Sequence, residues 1–345
     1  MKSDSSAEKE FLKGQKSIDE KNYQNAIKFL SKAIILDPKN PKYYEVRGKL
    51  NNFLRNFKES ISDFNIAIGI NSKNSLLFFY RGISMFSLER FRISIDDFNK
   101  AIEIDSSNHD YFFYRSKAFY EIGEYKKTIE DLNKAIEIDS SNHDYFLYRS
   151  KAFYELKDYE KVLDDCDRSI KLKPSSENLS FKSKILFDLK KYEPALKGFE
   201  KLCELNPTDY FFNMRGLCEI RLNLYHAAIE NFQKAIELDS TYYPSYHNRG
   251  IAYYYLKEFE KSIDDYDQAI NLESENPDFY EDRGLSKDAL SCYEEAIKDF
   301  DKAITLDNEN YYAFNKRGCS KLSLNNYKEA IKDFDKAIEL NPDYS

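Results

Sequence analysis

Paired carboxylates are the first candidates for chemistry in this chain. Asp96–Asp97, Asp164–Asp165 and Asp264–Asp265 could divide general-acid and general-base roles. His109, His143, His226 and His247 could join them or ligate a metal. The spacing argues against both. Each acidic pair recurs at the same outward place of a repeated segment, His109 and His143 are copies of one position, and the other two histidines stand alone. There is no G-x-x-x-x-G-K-[ST] phosphate loop and no G-x-G-x-x-G turn. The sequence therefore predicts no catalytic residue, no metal site and no cofactor.

A recurring arginine carries more information. Arg47, Arg81, Arg115, Arg149, Arg249, Arg283 and Arg317 stand sixteen residues before Asp63, Asp97, Asp131, Asp165, Asp265, Asp299 and Asp333. Where the arginine gives way to Lys13 and Lys182, the aspartate gives way to Phe29 and Gly198, and Arg215 faces Asn231. Joint presence and absence predicts an Arg–Asp bridge within each segment. As partly exposed pairs, the bridges are expected to contribute no more than about 1 kcal/mol each. An anion-binding arginine ladder is the competing reading, and it would need guanidinium groups without carboxylates of their own.

The elements that position these residues follow from a repeat. Ala101–Tyr125 reads AIEIDSSNHDYFFYRSKAFYEIGEY, and Ala135–Tyr159 reads AIEIDSSNHDYFLYRSKAFYELKDY, 34 residues later. Weaker copies divide the chain into ten units after a polar N-terminal tail, 1–6: 7–40, 41–74, 75–108, 109–142, 143–175, 176–208, 209–242, 243–276, 277–310 and 311–344. Within a unit, Phe112, Arg115, Ser116 and Phe119 mark one face of a first helix, and Tyr125, Thr128, Ile129, Leu132, Ala135 and Ile136 mark one face of a second. The eighth place is always small: Gly14, Gly48, Gly82, Ser116, Ser150, Ser183, Gly216, Gly250, Gly284 and Gly318. Opposite it, twelve residues on, stand small or β-branched residues from Ala26 and Ser60 to Ala330. Glycine inside a helix costs about 1 kcal/mol against alanine, so this pattern predicts a close approach of the two helices. Such pairs bury their faces by stacking, which predicts an all-α solenoid.

Composition agrees. The 345 residues include only 10 Gly and 8 Pro, too few for a turn-rich β-fold, while 28 Tyr and 26 Phe supply the apolar surface that disordered chains lack. A net charge of −8 argues against affinity for a nucleic-acid backbone. No apolar run is long enough for a membrane span, and the polar first residues make no signal-peptide core. Five cysteines without a C-x-x-C pair suit reduced thiols, and a cytoplasmic location is the expectation.

On these residues the chain resembles the tetratricopeptide repeat (TPR) family. The resemblance rests on the 34-residue period, the Gly/Ala places, an aromatic before each second helix (Tyr23, Phe57, Phe91, Tyr125 and their equivalents) and the terminal prolines Pro38, Pro174, Pro207 and Pro342. It implies a right-handed α-solenoid of about ten helix–turn–helix repeats, whose first helices line a groove. It also implies that ligand contacts come from the second, fifth, sixth, ninth, twelfth and thirteenth places of each repeat. In the third to sixth repeats those places give a candidate peptide groove: Phe79, Tyr80, Phe86, Phe113, Tyr114, Lys117, Tyr120, Leu147, Tyr148, Lys151, Tyr154, Phe181, Lys184 and Phe187. Aromatics bury area at low entropic cost and lysines attract acidic side chains. The Lys-Asn, Asn, Lys-Arg set with which some family members grip acidic chaperone tails is missing from any three successive repeats.

The expected function is a non-catalytic interaction scaffold that holds one or more proteins or extended peptides, and neither nucleic acid nor membrane. The alternative is the regulatory or substrate-recruiting arm of a larger enzyme, such as a kinase or glycosyltransferase, with its catalytic part outside this chain. The last repeat has no polar capping helix behind Phe334, Ile338 and Leu340, which predicts a homo-oligomer contact or a further covering segment there.

Overall fold

The computed structural model describes residues 2–343, with side chains from Ser6 onward. Among the described residues it holds twenty α-helices and no strand. Two compact units divide the chain, Met1–Pro174 and Ser175–Ser345. The N-terminal unit carries α1 (Lys2–Asp19), α2 (Tyr23–Leu36), α3 (Pro41–Phe53), α4 (Phe57–Ile70), α5 (Ser75–Ser87), α6 (Phe91–Ile104), α7 (His109–Glu121), α8 (Tyr125–Ile138), α9 (His143–Glu155) and α10 (Tyr159–Leu172). The C-terminal unit carries α11 (Ser176–Asp188), α12 (Tyr192–Leu205), α13 (Asp209–Arg221), α14 (Tyr225–Leu238), α15 (Tyr243–Tyr255), α16 (Phe259–Leu272), α17 (Pro277–Ala289), α18 (Tyr293–Leu306), α19 (Tyr311–Ser323) and α20 (Tyr327–Leu340). Within each unit every helix packs on the next, the stacking of an α-solenoid. Because α1 begins at Lys2, residues 2–6 have helical backbone where the sequence suggested a tail. Tyr344, the last residue of the expected array, lies outside the described residues.

Local chemistry sets the helix ends. Asn40, Asn74, Asn108, Asn142 and Asn276 accept hydrogen bonds through their side chains from the backbone N–H two residues on, and so cap α3, α5, α7, α9 and α17. Each second helix opens on the aromatic residue singled out by the sequence, from Tyr23 in α2 to Tyr327 in α20. The turn inside each pair needs one residue in the left-handed region. Gly123 fills it once, at φ 77°; in the other pairs non-glycine residues such as Glu89 (φ 59°) and Lys157 (φ 60°) take the same conformation.

The small eighth place is explained by a ring. A Cβ added at Gly82 would lie 2.7 Å from the Phe98 ring, and one at Gly250 would lie 2.7 Å from the Tyr266 ring. Gly48, Gly216, Gly284 and Gly318 meet Phe64, Phe232, Phe300 and Phe334 in the same way. Serine is tolerated as Ser116 and Ser150, where Leu132 and Cys166 replace the ring. Ser183 does face Phe199, and there a Cβ at Gly198 would run into the Ser183 hydroxyl. The small or β-branched side chains twelve residues on are buried, from Ala26 and Ser60 to Ala330. At two of these places a serine hydroxyl donates to the eighth-place carbonyl, from Ser60 to Gly48 at 2.8 Å and from Ser262 to Gly250 at 2.9 Å.

The arginines tie the pairs together. All seven expected bridges are present, with Nη2 to Oδ1 distances from 2.5 Å (Arg81–Asp97) to 2.7 Å (Arg149–Asp165). Nε donates to the other carboxylate oxygen, so each contact is a two-pronged fork. The remaining Nη1 reaches back to the second helix of the preceding pair, at Ser31, Asn65, Asn99, Asn133, Gln233, Asp267 and Asp301. One guanidinium thus joins three helices.

The aspartates are far less exposed than the sequence suggested: Asp165 shows 1% of its surface. Burial pushes the carboxyls of Asp97, Asp131, Asp165 and Asp265 above their ordinary pKa, against the pull of the arginines. Burial likewise opposes the charge on Arg249, but the bonds and charge of Asp265 overcome it and hold that group above its usual value. Removing one partner would strand a buried charge, at a cost of about 3–5 kcal/mol, which replaces the surface-pair figure.

Departures from the fork are compensated locally. Lys13 lies over the ring of Phe29, 5.6 Å from its centre. Arg215 donates to Glu219 at 3.2 Å, and Asn231 donates to the same carboxylate at 2.7 Å. Glu219, 2% exposed, therefore supplies the missing negative charge from one turn along α13.

Two glycines in one unit separate packing from propensity. Gly82→Ala drives a methyl into Phe98 and is expected to destabilise by about 1–3 kcal/mol. Gly69→Ala in α4, with nothing within 4 Å of the new atom, should stabilise by up to about 1 kcal/mol. Urea unfolding of the two variants checks this; shifts of equal sign would contradict the ring-contact explanation.

Candidate functional site

The stripe expected to bind peptide divides between packing and surface. Phe79, Phe113 and Leu147 are buried. Phe79 packs on Tyr111 and Phe113 on Tyr145, each pair with ring centres 4.9 Å apart, so these side chains hold one first helix against the next. Phe86, Tyr120 and Tyr154 are half-buried and meet the rings that open the second helices, Phe91, Tyr125 and Tyr159, at 5.2, 5.4 and 6.0 Å. Tyr80, Tyr114 and Tyr148, one on each successive first helix, are half-buried as well, with Tyr80 stacked on Phe64 and Tyr114 edge-on to Phe79. Lysines lie over these rings. Lys49 is 4.4 Å from the Tyr80 centre, Lys151 is 5.0 Å from Tyr148, and Lys117 stands 5.1, 5.2 and 5.0 Å from Phe113, Tyr114 and Tyr148. Phe181, Lys184 and Phe187 belong to α11 of the C-terminal unit, where Lys184 is exposed and Phe187 packs edge-on to Tyr192.

Electrostatics along the stripe favour neutral tyrosine. Burial, with the Glu155 carboxylate beside it, pushes the Tyr120 phenol up to about 12. Burial does the same to Tyr145, whose hydroxyl meets His109 Nδ1 at 2.5 Å.

The C-terminal unit contains a cavity of about 670 Å³ that sequence reasoning missed. It runs across the first helices α13, α15, α17 and α19. All its lining residues except Asn223, Tyr225 and Tyr266 occupy the second, fifth, sixth, ninth, twelfth or thirteenth place of a repeat. The signal was therefore present in the seventh to tenth repeats, at Tyr254, Tyr255, Glu281, Asp282 and Tyr312. One wall is aromatic: Tyr225 and Tyr255 stack with centres 5.1 Å apart and planes 12° apart, and Tyr254 meets Tyr255 edge-on at 6.0 Å. The other wall is acidic. Glu281 accepts from Asn310 Nδ2 at 2.7 Å, and Asp282 lies 2.8 Å from His247 Nε2. Burial raises the pKa of Glu281, and the charges of Asp282 and Asp278 add to that rise.

Other chemistry is sparse among the described residues. No group of three His, Cys, Asp or Glu side chains could hold a metal. No helix is long and apolar enough to cross a membrane. Cys166, Cys203 and Cys218 are buried, and burial pushes Cys203 to about 11 and Cys218 to about 12. On α20, Ile331 and Ile338 are more than half exposed.

Stacked helix pairs with grooved first-helix faces define the class, an α-solenoid of helical repeats. The tetratricopeptide repeat model matches residues 210–242, 243–276, 277–310 and 311–344, so this part of the chain is a run of four tetratricopeptide repeats. No curated protein matches the chain. Among solved structures it is similar to a tetratricopeptide repeat protein from Parabacteroides merdae, at 16% identity and TM-score 0.54 over 72% of this chain and 99% of that one. It is also similar to the APC/C hetero-tetramer Cut9-Hcn1, at 15% identity and TM-score 0.50 over 98% and 74%. YrrB, described as a TPR protein with an unusual peptide-binding site, matches at 20% identity and TM-score 0.47 over 51% and 92%. At these identities the likeness is one of fold.

The raised phenol of Tyr145 has a consequence at high pH. Its contribution is complete below the unfolded value near 10 and is lost as pH rises toward about 12, because only the unfolded chain ionises readily in that window. Urea midpoints measured between those limits should fall more steeply for the native chain than for Tyr145→Phe. Parallel slopes would contradict the burial argument.

Proposed function

We propose that the first-helix faces of this protein hold extended segments of partner proteins. The cavity across α13, α15, α17 and α19 carries this reading: it is elongated over four repeats, lined by aromatic rings, and bordered by polar groups that can fix a backbone. Tyrosine suits such a surface because a large rigid ring buries area while its hydroxyl bonds a main-chain group. The tyrosines Tyr80, Tyr114 and Tyr148 and the lysines over them form the second part of the proposal, a strip suited to acidic segments. The protein acts by positioning partners, and chemistry on them belongs to other molecules.

A random peptide library displayed on phage and selected on the full chain tests the groove. Selected peptides should lose at least about tenfold in affinity on Tyr255→Glu, equal to roughly 1.4 kcal/mol, and be indifferent to Leu238→Glu on a second helix. Peptides that respond to Leu238→Glu and ignore Tyr255→Glu would place binding elsewhere and reject the proposal.

A further inference from the structure

Resting on the groove reading, we infer that the cavity of the C-terminal unit selects a basic side chain, the lysine or arginine of an extended partner segment. The acidic wall supports this. Glu281 and Asp282 are half-buried neighbours, and among the described residues neither has a lysine or arginine within ion-pair distance. Their hydrogen-bond partners are an amide, Asn310, and an imidazole, His247. Elsewhere in the fold a buried carboxylate receives an arginine fork; here the carboxylates border a space large enough for a guanidinium or ammonium group.

The aromatic wall points the same way. Tyr254, Tyr255 and Tyr312 line the same space, and ring faces attract cations while hydroxyls accept from N–H groups. The protein already uses this pairing internally, with Lys316 placed 4.9 Å from the centre of the Tyr312 ring. Two cations temper the field: Arg221 lines the same cavity, and Lys316 partly offsets Glu281. Asp278 adds to the negative side. An acidic side chain would meet Glu281 and Asp282 across the same space, so the cavity also discriminates against the opposite charge.

The test uses the full chain and a short fluorescein-labelled peptide of alternating arginine and serine, followed by anisotropy in about 0.1 M salt, where exposed charges are screened beyond about 10 Å. Two comparison peptides replace arginine by citrulline, which keeps the shape without the charge, or by glutamate. The arginine peptide should bind, the citrulline peptide should bind at least about tenfold more weakly, and the glutamate peptide should not bind. The double variant Glu281→Gln/Asp282→Asn keeps the hydrogen-bonding shapes and should weaken the arginine peptide by about tenfold; Tyr255→Ala should also weaken it. Glu103→Gln/Glu137→Gln removes the same charge from exposed positions of the N-terminal unit and should leave binding unchanged. Equal losses from the two double variants, or equal binding of the arginine and glutamate peptides, would overturn the inference. Absence of binding to the arginine peptide would overturn it as well. Library-selected peptides that depend on Tyr255 but carry acidic residues would sink this inference alone and leave the groove reading standing.

Discussion

A carboxylate buried between two helices must be paired, and in this protein that requirement organises the fold. Each bridging aspartate of a second helix lies almost fully out of water, and an arginine fork meets both of its oxygens, as Arg115 meets Asp131. The third nitrogen of the same guanidinium donates to the preceding pair, as Arg115 does to Asn99 at 2.7 Å. A single planar group therefore fixes the two helices of one repeat and the step to the previous one. Lysine could not replace it, because a point charge cannot meet three acceptors in this fixed fan.

Glycine and ring contacts set how close the helices come, and the forks set how they are aligned. Gly82 under Phe98 brings α5 onto α6 at a distance no larger residue permits, and from there Arg81 reaches Asp97. Where one device is altered, its neighbour changes too: Ser183 is matched by Gly198, and Asn231 by Glu219. The first helices are left with one face free of these duties, and that face carries the tyrosines and the groove.

Much of this was legible in the residues, for definite physical reasons. A spacing of sixteen between arginine and aspartate is visible because both partners are distinctive and vanish together at Lys13 and Lys182. The third partner was not visible, because Ser31, Asn65, Gln233 and Asp267 share only an ability to accept a hydrogen bond. Helix ends could be placed from Asn108 or Tyr125, whereas the left-handed turn residues could not, since lysine and glutamate carry no turn signature. At the candidate site, the ligand places implied by the resemblance include Phe79, Phe113 and Leu147, which pack inward. Burial depends on the angle between neighbouring first helices, and a linear pattern does not state that angle. The equivalent places around Tyr255 and Glu281 hold the cavity instead.

If one guanidinium couples consecutive repeats, amide hydrogen exchange of Arg115→Met followed by mass spectrometry will register its loss in the preceding pair as well as in its own. Loss of about 3 kcal/mol at the fork would speed exchange locally by about two orders of magnitude. That acceleration is expected in α7 and α8 and also in α6, where Asn99 loses its donor, while α3 and α4 keep their native rates. Acceleration confined to α7 and α8, with α6 unchanged, would contradict it.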